Sequence, residues 1–179
     1  ANLPHYLGER AKGRIIVAHL GNGASMCALK SRRSVATSMG FTALDGLIMG
    51  QRCGALDAGV VLHLLQQHHL SPAAIEHMLY NESGLKGVSG ISNNMQVLTT
   101  STHPHAQQAI DLFCYRAARE LSSLVCAIDG IDAIVFTAGI GEHSALVRER
   151  ICGHLGWLGV ALDPIANQHH HSVISPVKC

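Results

Sequence analysis

The chain has 179 residues and a formal net charge of +1, and 47% of its residues are hydrophobic while 14% are charged. This is the composition of a globular domain with enough core to fold, and it lacks the basic tract of a nucleic-acid-binding protein. No apolar run is long enough to cross a bilayer, and the first residues lack the basic-then-apolar pattern of a secretory signal. We therefore expect no nucleic-acid partner, no membrane association and a cytoplasmic location.

Cysteine and histidine spacing argues against disulfides and metal centres. The cysteines lack CxxC spacing, which predicts free thiols in a reducing compartment; they are Cys27, Cys53, Cys114, Cys126, Cys152 and Cys179. The pair His68-His69 and the histidine run at residues 169–171 have no carboxylate or thiol partners at ligand spacing. We interpret these histidines as solvated surface residues rather than a metal site.

The N-terminal part predicts a β-meander. Alternating apolar residues indicate strands over residues 14–20, 25–30 and 34–38, with turns at residues 21–23 and 30–33. A glycine-rich loop then covers residues 39–58 and carries Asp45, Arg52 and Asp57.

The middle of the chain is predicted to be helical. Apolar residues at helical spacing indicate helices over residues 59–70, 72–80 and 104–129. Ser71 and Pro72 supply an N-cap and a first-turn proline for the second helix, and Gly130 ends the third. Residues 81–95, punctuated by Gly84, Gly87 and Gly90, are predicted to be a loop.

The C-terminal part predicts a strand over residues 132–137, apolar enough to lie centrally in a sheet. A glycine turn follows, then a helix over residues 144–155, a short strand over residues 158–162 and a poorly patterned tail. A meander, then helices, then a strand–turn–helix unit indicates one mixed α/β domain, and no linker divides the chain.

Two strands run directly into glycine-rich segments. The first glycine segment, residues 19–23, follows the apolar run at residues 15–18, and Gly139 and Gly141 follow the last long strand. Glycine lets backbone N–H groups approach a phosphate closely, and Arg52 is a planar donor suited to a phosphoryl group or a carboxylate. Each signal alone also fits a hairpin, a tight turn or a surface ion pair. Together they indicate a nucleotide or phosphate enzyme.

These segments resemble acetate kinase. The matching strings are HLGNGAS at residues 19–25, TSMGFTALDGL at 37–47, MGQRCG at 49–54, SGLKGVSGIS at 83–92 and FTAGIGE at 136–142. The matches run in order over residues 14 to about 162, and they cover only the C-terminal, nucleotide-binding half of the family.

The resemblance implies an α/β fold, the ribonuclease-H-like domain shared by acetate and sugar kinases, heat-shock chaperones and actin. It implies reversible, direct in-line phosphoryl transfer from ATP to acetate, giving ADP and acetyl phosphate, with Mg²⁺ or Mn²⁺. Residues 1–179 would be a single C-terminal-type domain of a two-domain kinase, with the N-terminal domain and the final strand and helix outside them. A homodimer through this domain is also implied.

The resemblance further assigns roles to individual residues. The counterpart of Arg52 stabilises the transferring phosphoryl group, and that of His19 belongs to both the catalytic and the nucleotide-binding set. The implied nucleotide-binding residues are His19, Leu20, Gly21, Asn22, Gly23, Asn94, Met95, Gln96, Gly139, Ile140, Gly141, Glu142 and His143. No metal ligand is expected within this chain.

Several positions depart from the family pattern. Asn94 and Gln96 stand where the family usually has aspartate and arginine, and His143 stands where asparagine is common; Gln51 and Ala55 also differ. These changes fit either ordinary drift with activity kept or a weakened nucleotide site. The alternatives to acetate kinase are a propionate or butyrate kinase, or a non-catalytic nucleotide-binding or dimerisation fragment. Residues 1–179 alone are expected to be inactive or weakly active, and to expose an apolar strand edge.

Overall fold

The sheet organises the molecule. The structure is a computed structural model, and it describes residues 2–176. The strands are β1 (Arg14–Leu20), β2 (Ala24–Lys30), β3 (Arg33–Thr37) and β4 (Ala133–Thr137), in the order β3-β2-β1-β4. Strands β1, β2 and β3 form the predicted antiparallel meander, and β4 pairs with β1 in parallel.

The strand register determines where the two glycine-rich segments lie. Leu20 pairs with Ala24, so residues 21–23 form the turn between β1 and β2. His19 pairs with Thr137 across the parallel strands. The C-terminal ends of β1 and β4 are therefore side by side, and the residues after each strand lie at the same end of the sheet.

Helices surround this sheet. They are α1 (Leu3–Leu7), α2 (Ala58–Gln66), α3 (Pro72–Asn81), α4 (Gly84–Ser89), α5 (Met95–Thr100), α6 (Pro104–Ala127), α7 (Ala138–His143), α8 (Ala145–Gly153) and α9 (Pro164–Gln168), with 3-10 turns at Gly8–Lys12 and Gly156–Leu158. The apolar face of α6 buries Phe113 and Leu121 in the core cluster that also contains Ile16 and Met26 of the sheet. Its burial is what the helical spacing predicted.

One predicted helix boundary is confirmed, and a second is shifted by two residues. The Ser71 hydroxyl accepts a hydrogen bond from the backbone N–H of Ala74 at 3.2 Å, which is the N-cap of α3. At the end of α6, Gly130 takes a φ of 127° and its N–H donates to the carbonyl of Val125 at 3.2 Å. The helix ends at Ala127, two residues earlier than predicted, and Gly130 lies in the turn that follows it.

Other predictions are wrong. Residues 81–95 are not one loop, because α4 begins at Gly84. The glycine turn at residues 139–141 is part of helix α7 rather than a turn that precedes a helix. Residues 158–162 form no strand; Leu158 ends a 3-10 turn, and Gly159 takes a φ of 78°, which an extended strand does not accommodate.

Strand β4 lies at an edge instead of the predicted centre. Among the described residues it pairs with β1 alone, and all five of its residues are half-buried. An apolar run identifies a buried strand face, but it does not determine how many neighbours the strand has.

The remaining composition-based predictions concern thiols and membranes. Cys27, Cys53, Cys114, Cys126 and Cys152 are free thiols in the structure, and Cys179 lies outside the described residues. Among the described helices, none combines the length and apolar character needed to span a bilayer.

Candidate functional site

A cavity of about 260 Å³ opens at the C-terminal end of β1. It brings the first glycine segment together with Arg52, as the sequence predicted, although these residues are far apart in the chain. Its lining residues are His19, Gly21, Asn22, Gly23, Ala24, Ser25, Met39, Met49 and Arg52. The cavity therefore combines exposed main chain with one imidazole and one guanidinium.

Asn22 holds the first glycine segment in place. Its carbonyl accepts a hydrogen bond from the N–H of Gly50 at 2.9 Å, and its Oδ1 accepts one from Asn93 Nδ2 at 3.2 Å. Gly50 lies inside the string MGQRCG and Asn93 directly follows SGLKGVSGIS, but the sequence did not predict their contacts with Asn22. Both contacts join residues distant in sequence, so only the membership or neighbourhood of these motifs could have indicated them.

Arg52 carries a positive charge that the described residues leave unpaired. Its Nη1 donates to the carbonyl of Ala43 at 3.2 Å, and none of the ion pairs formed within residues 2–176 includes it. Burial raises the pKa of the neighbouring Cys53 thiol, so that thiol stays neutral and provides no counter-charge. An anionic ligand is the partner that such a guanidinium accommodates.

The backbone around Arg52 is fixed by the start of α4. The N–H of Met49 donates to the carbonyl of Arg52 at 3.2 Å, and that of Leu85 donates to the carbonyl of Met49 at 2.9 Å. Gly84 has a φ of 63°, and a Cβ there would overlap the Met49 carbonyl. Only glycine permits this close approach, which explains a glycine at the first position of a helix.

His19 connects the cavity to β4. The residue is exposed, and its Nδ1 lies 3.2 Å from the hydroxyl oxygen of Thr137, which the sequence analysis did not single out. A Cβ added to Gly21 would lie 3.4 Å from the Cβ of Ala138. The start of α7 thus lies beside the first glycine segment, although residues 139–143 are not among those that line the cavity. Leu20, by contrast, is buried in the core and is not among the residues that line the cavity.

In the second glycine segment, residues 139–143, one glycine has free space around it and the other is packed against its neighbours. A Cβ at Gly139 would meet no atom within 4 Å, whereas one at Gly141 would lie 3.4 Å from the carbonyl carbon of Phe136. Glu142 uses its carboxylate to accept a hydrogen bond from the N–H of Ala138 at 3.0 Å. Space for a ligand is therefore found at Gly139, while Gly141 packs on the sheet. Ile140 is half-buried and packs against the core, and His143 is exposed.

Residues 94–96 start helix α5. Asn94 Oδ1 accepts a hydrogen bond from the N–H of Gln96 at 2.9 Å, which makes Asn94 the N-cap. Met95 is buried in the core, and Gln96 is exposed. Because Asn93 contacts Asn22, the segment lies next to the first glycine segment. Its side-chain contributions differ: Met95 contributes to packing, while Asn94 and Gln96 face outward.

Within the part of the chain that the structure describes, no cluster of three or more histidine, cysteine or acidic side chains could hold a metal ion. His68, His69 and the histidines at residues 169–171 are exposed. The arrangement as a whole places the main chain of the first glycine segment beside His19 and Arg52, a combination that suits an anion.

An antiparallel meander that continues into a parallel strand and is flanked by helices is the α/β fold of the superfamily of acetate and sugar kinases, heat-shock chaperones and actin. A propionate kinase from Francisella tularensis matches 98% of this chain, over 46% of its own, with a TM-score of 0.92 and 35% identity. An acetate kinase from Porphyromonas gingivalis matches 93% of this chain, over 43% of its own, with a TM-score of 0.88 and 34% identity. A sequence profile of the acetokinase family matches residues 3–177, and the chain belongs to that family.

Curated relatives agree with this membership. An acetate kinase of Rhodopseudomonas palustris strain TIE-1 is 60% identical over 166 residues, which is 92% of this chain and 42% of the relative. An acetate kinase of Nitrobacter hamburgensis is 55% identical over 173 residues, which is 97% of this chain and 43% of the relative. The chain thus spans less than half the length of these relatives.

Proposed function

We propose that this chain is the nucleotide-binding part of an acetate kinase, which transfers a phosphoryl group reversibly between ATP and the carboxylate of acetate. The observation that carries the proposal is Arg52, a guanidinium without an acidic partner among residues 2–176, at a cavity whose wall is the first glycine segment. Names of relatives support the same assignment. The activity of the whole protein, its substrates and its partners are part of this proposal.

In the proposed reaction the protein supplies position and charge. The first glycine segment and the open backbone at Gly139 contact the phosphates of the nucleotide. Arg52 donates to the equatorial oxygens of the phosphoryl group as it passes in line to the acetate oxygen, where charge is spread over three oxygens. When Thr137 donates to His19 Nδ1, the proton of the ring is on Nε2, which can donate to a phosphate oxygen.

A divalent cation belongs to the proposal as a companion of the nucleotide. The side chains around the cavity that carry or can take a charge, His19 and Arg52, suit phosphate contact rather than metal ligation. Mg²⁺ or Mn²⁺ bound to ATP neutralises phosphate charge. The cytoplasmic location and the single C-terminal-type domain over residues 1–179 also stay predictions.

Propionate is a second acyl acceptor to test. The Francisella protein that matches 98% of this chain is described as a propionate kinase. Activity of the full-length protein with acetate, propionate and butyrate, measured as acyl phosphate formed, decides between them. A preference for propionate or butyrate in kcat/KM would replace acetate in the proposal.

We also propose that α2 forms a contact with a second copy of the chain. None of its nine residues is buried, although most are apolar, and Val60 and Leu62 are 39% and 53% exposed. An exposed helix with such a surface is typical of an interface. Leu62→Glu should convert a dimer into a monomer in sedimentation, while Val35→Glu on β3, an exposed position away from α2, should not. A wild-type monomer would contradict the proposal.

The first experiment is calorimetric titration of the 179-residue chain with Mg-ADP, with Mg-AMP as the comparison. Micromolar binding of ADP and weaker binding of AMP support phosphate recognition by the glycine-rich segments. Asn94 and Gln96, which stand where the family usually has aspartate and arginine, favour the competing proposal of a non-catalytic module. No binding of ADP by a folded chain would overturn nucleotide binding by this part and leave only a dimerisation module.

A further inference from the structure

Arg148 of α8 is a buried cation, and no sequence pattern predicted its role. The residue is 2% exposed. Its Nη1 donates to the carbonyls of Gly141 at 2.9 Å and Glu142 at 2.7 Å. Its Nε and Nη2 donate to Oδ1 and the carbonyl of Asn167, both at 2.7 Å, and Nη2 lies 3.0 Å from His170 Nδ1. The guanidinium is thus surrounded by acceptors.

None of these acceptors is a carboxylate. Within residues 2–176 Arg148 forms no ion pair, and burial lowers the pKa of its guanidinium. Removing a charge from water without a counter-ion is costly, and a well-packed apolar residue often stabilises such a position better. What the arginine provides here is geometry, because its rigid fork binds carbonyls from two separate segments at once.

One of those segments is the second glycine segment. Helix α7 has six residues, too few to be stable alone, and it begins at Ala138, which takes a φ of 66°. Arg148 binds the carbonyls near the end of α7, while Glu142 binds the N–H of Ala138 at its start. The backbone of α7, which includes Gly139 at its second position, is therefore held at its C-terminal end by Arg148.

We infer that Arg148 is a positioning residue of the nucleotide site, which holds residues 139–143 in their binding geometry and fastens them to α9 through Asn167. The inference rests on the proposed function, in which residues 139–143 contact the nucleotide phosphates. Arg148 does not touch the ligand; it acts through the backbone of Gly141 and Glu142. Asn167 completes the link, since its Nδ2 also donates to the carbonyl of Ala145 at 3.0 Å.

The test compares two arginines of the same helix. Arg150 lies two positions further along α8, and its Nη1 contacts Asp111 Oδ1 at 2.6 Å, away from residues 139–143. Arg148→Met and Arg148→Lys should each weaken binding of Mg-ADP by about tenfold or more, because lysine keeps the charge but lacks the fork. Arg150→Met should leave the affinity within about twofold, since it loses a charge of the same helix without losing these contacts.

Amide hydrogen exchange separates positioning from general stability. In Arg148→Met, the amides of residues 138–143 should exchange faster while those of α6 keep their protection. If that variant does not fold, Asn167→Ala removes one acceptor of Arg148 together with the Nδ2 donor to Ala145, and it should show the same pattern more weakly. Wild-type ADP affinity and exchange in a folded Arg148→Met protein would overturn the inference. If the unsubstituted chain binds no ADP, the proposed function fails, and exchange at residues 138–143 still decides the role of Arg148.

Discussion

The two glycine-rich segments follow neighbouring strands and read alike in sequence, yet they are built and held differently. Residues 21–23 are a turn between antiparallel strands, held from the side by Gly50 and Asn93 through Asn22. Residues 139–143 belong to a helix, and Arg148 binds the carbonyls of two of them. The same glycine signal therefore marks close backbone approach in both, but it does not specify a turn.

The two arginines associated with these segments differ in burial and in how many of their donors bind protein acceptors. Arg52 is half-buried beside the cavity, and its Nη1 donates a hydrogen bond to the Ala43 carbonyl at 3.2 Å. Arg148 is buried, and its fork is occupied by protein acceptors. A guanidinium that must bind a ligand keeps donors free, whereas one that positions main chain uses them.

The largest effect should follow from removing Arg52. In the full-length protein, Arg52→Ala should lower kcat by about 10²–10³-fold, because charge developing on the phosphoryl group loses its donor. The dissociation constant of ADP should change by less than about threefold. Steady-state kinetics and calorimetry measure the two quantities. Arg52→Lys keeps the charge without the fork and should recover only part of the rate. A change mainly in ADP affinity would contradict a transition-state role.

The next largest effect should follow from adding a side chain at Gly139. Gly139→Val should weaken Mg-ADP binding by about tenfold or more, because the new side chain occupies the space where the phosphates approach. The fold should tolerate it, since a Cβ there meets nothing within 4 Å. Gly153→Val in α8 is the matched control, another glycine with nothing within 4 Å but outside the site. Equal ADP affinity in the folded Gly139→Val protein would remove this segment from the binding surface.

A smaller effect tests the departures from the family pattern. Asn94→Asp combined with Gln96→Arg should tighten ADP binding by about 1 kcal/mol, since hydrogen bonds to charged groups are the stronger ones. The carboxylate can still accept from the N–H of residue 96, so the cap of α5 is kept. Titration calorimetry of the pair and of each single variant gives the measurement. Unchanged affinity would mean that residues 94–96 do not contact adenosine.

The smallest effect on the site should come from the opposite end of the strands. Asp132 accepts hydrogen bonds from the side chain and from the backbone N–H of Arg14. These bonds, the side-chain ones most of all, lower the pKa of the Asp132 carboxyl to about 2. Because this pKa lies below the usual value near 3.9, the pair stabilises the fold fully above about pH 4 and is lost as the pH falls towards 2.

Arg14→Met should therefore move the acid-unfolding midpoint to higher pH, followed by circular dichroism. At neutral pH its ADP affinity should stay within about twofold of wild type, because the pair starts β1 and β4 rather than ending them. A large loss of ADP affinity would show that the two strand ends are coupled, and would weaken the distinction between the site and its scaffold.

Local patterns predicted the meander, the cap at Ser71 and the long helix α6, because their signals lie within a few residues of each other. Helix α4 was missed because its glycines read as a loop. Gly84 is there for a tertiary reason: its lack of a Cβ lets the Met49 carbonyl approach, and the N–H of Leu85 bonds to that carbonyl. No periodicity within residues 84–89 contains that information.

The sequence by itself determined the strands, the glycine-rich segments and Arg52 as separate pieces, and its motifs determined the family. Only the tertiary structure decided that β4 lies at the sheet edge among the described residues, that His19 meets Thr137, and that Arg148 holds residues 139–143. The reason is physical: glycine, apolar and capping signals act over a few residues. Pairing of strands and satisfaction of a buried guanidinium depend on atoms that only the folded chain brings together.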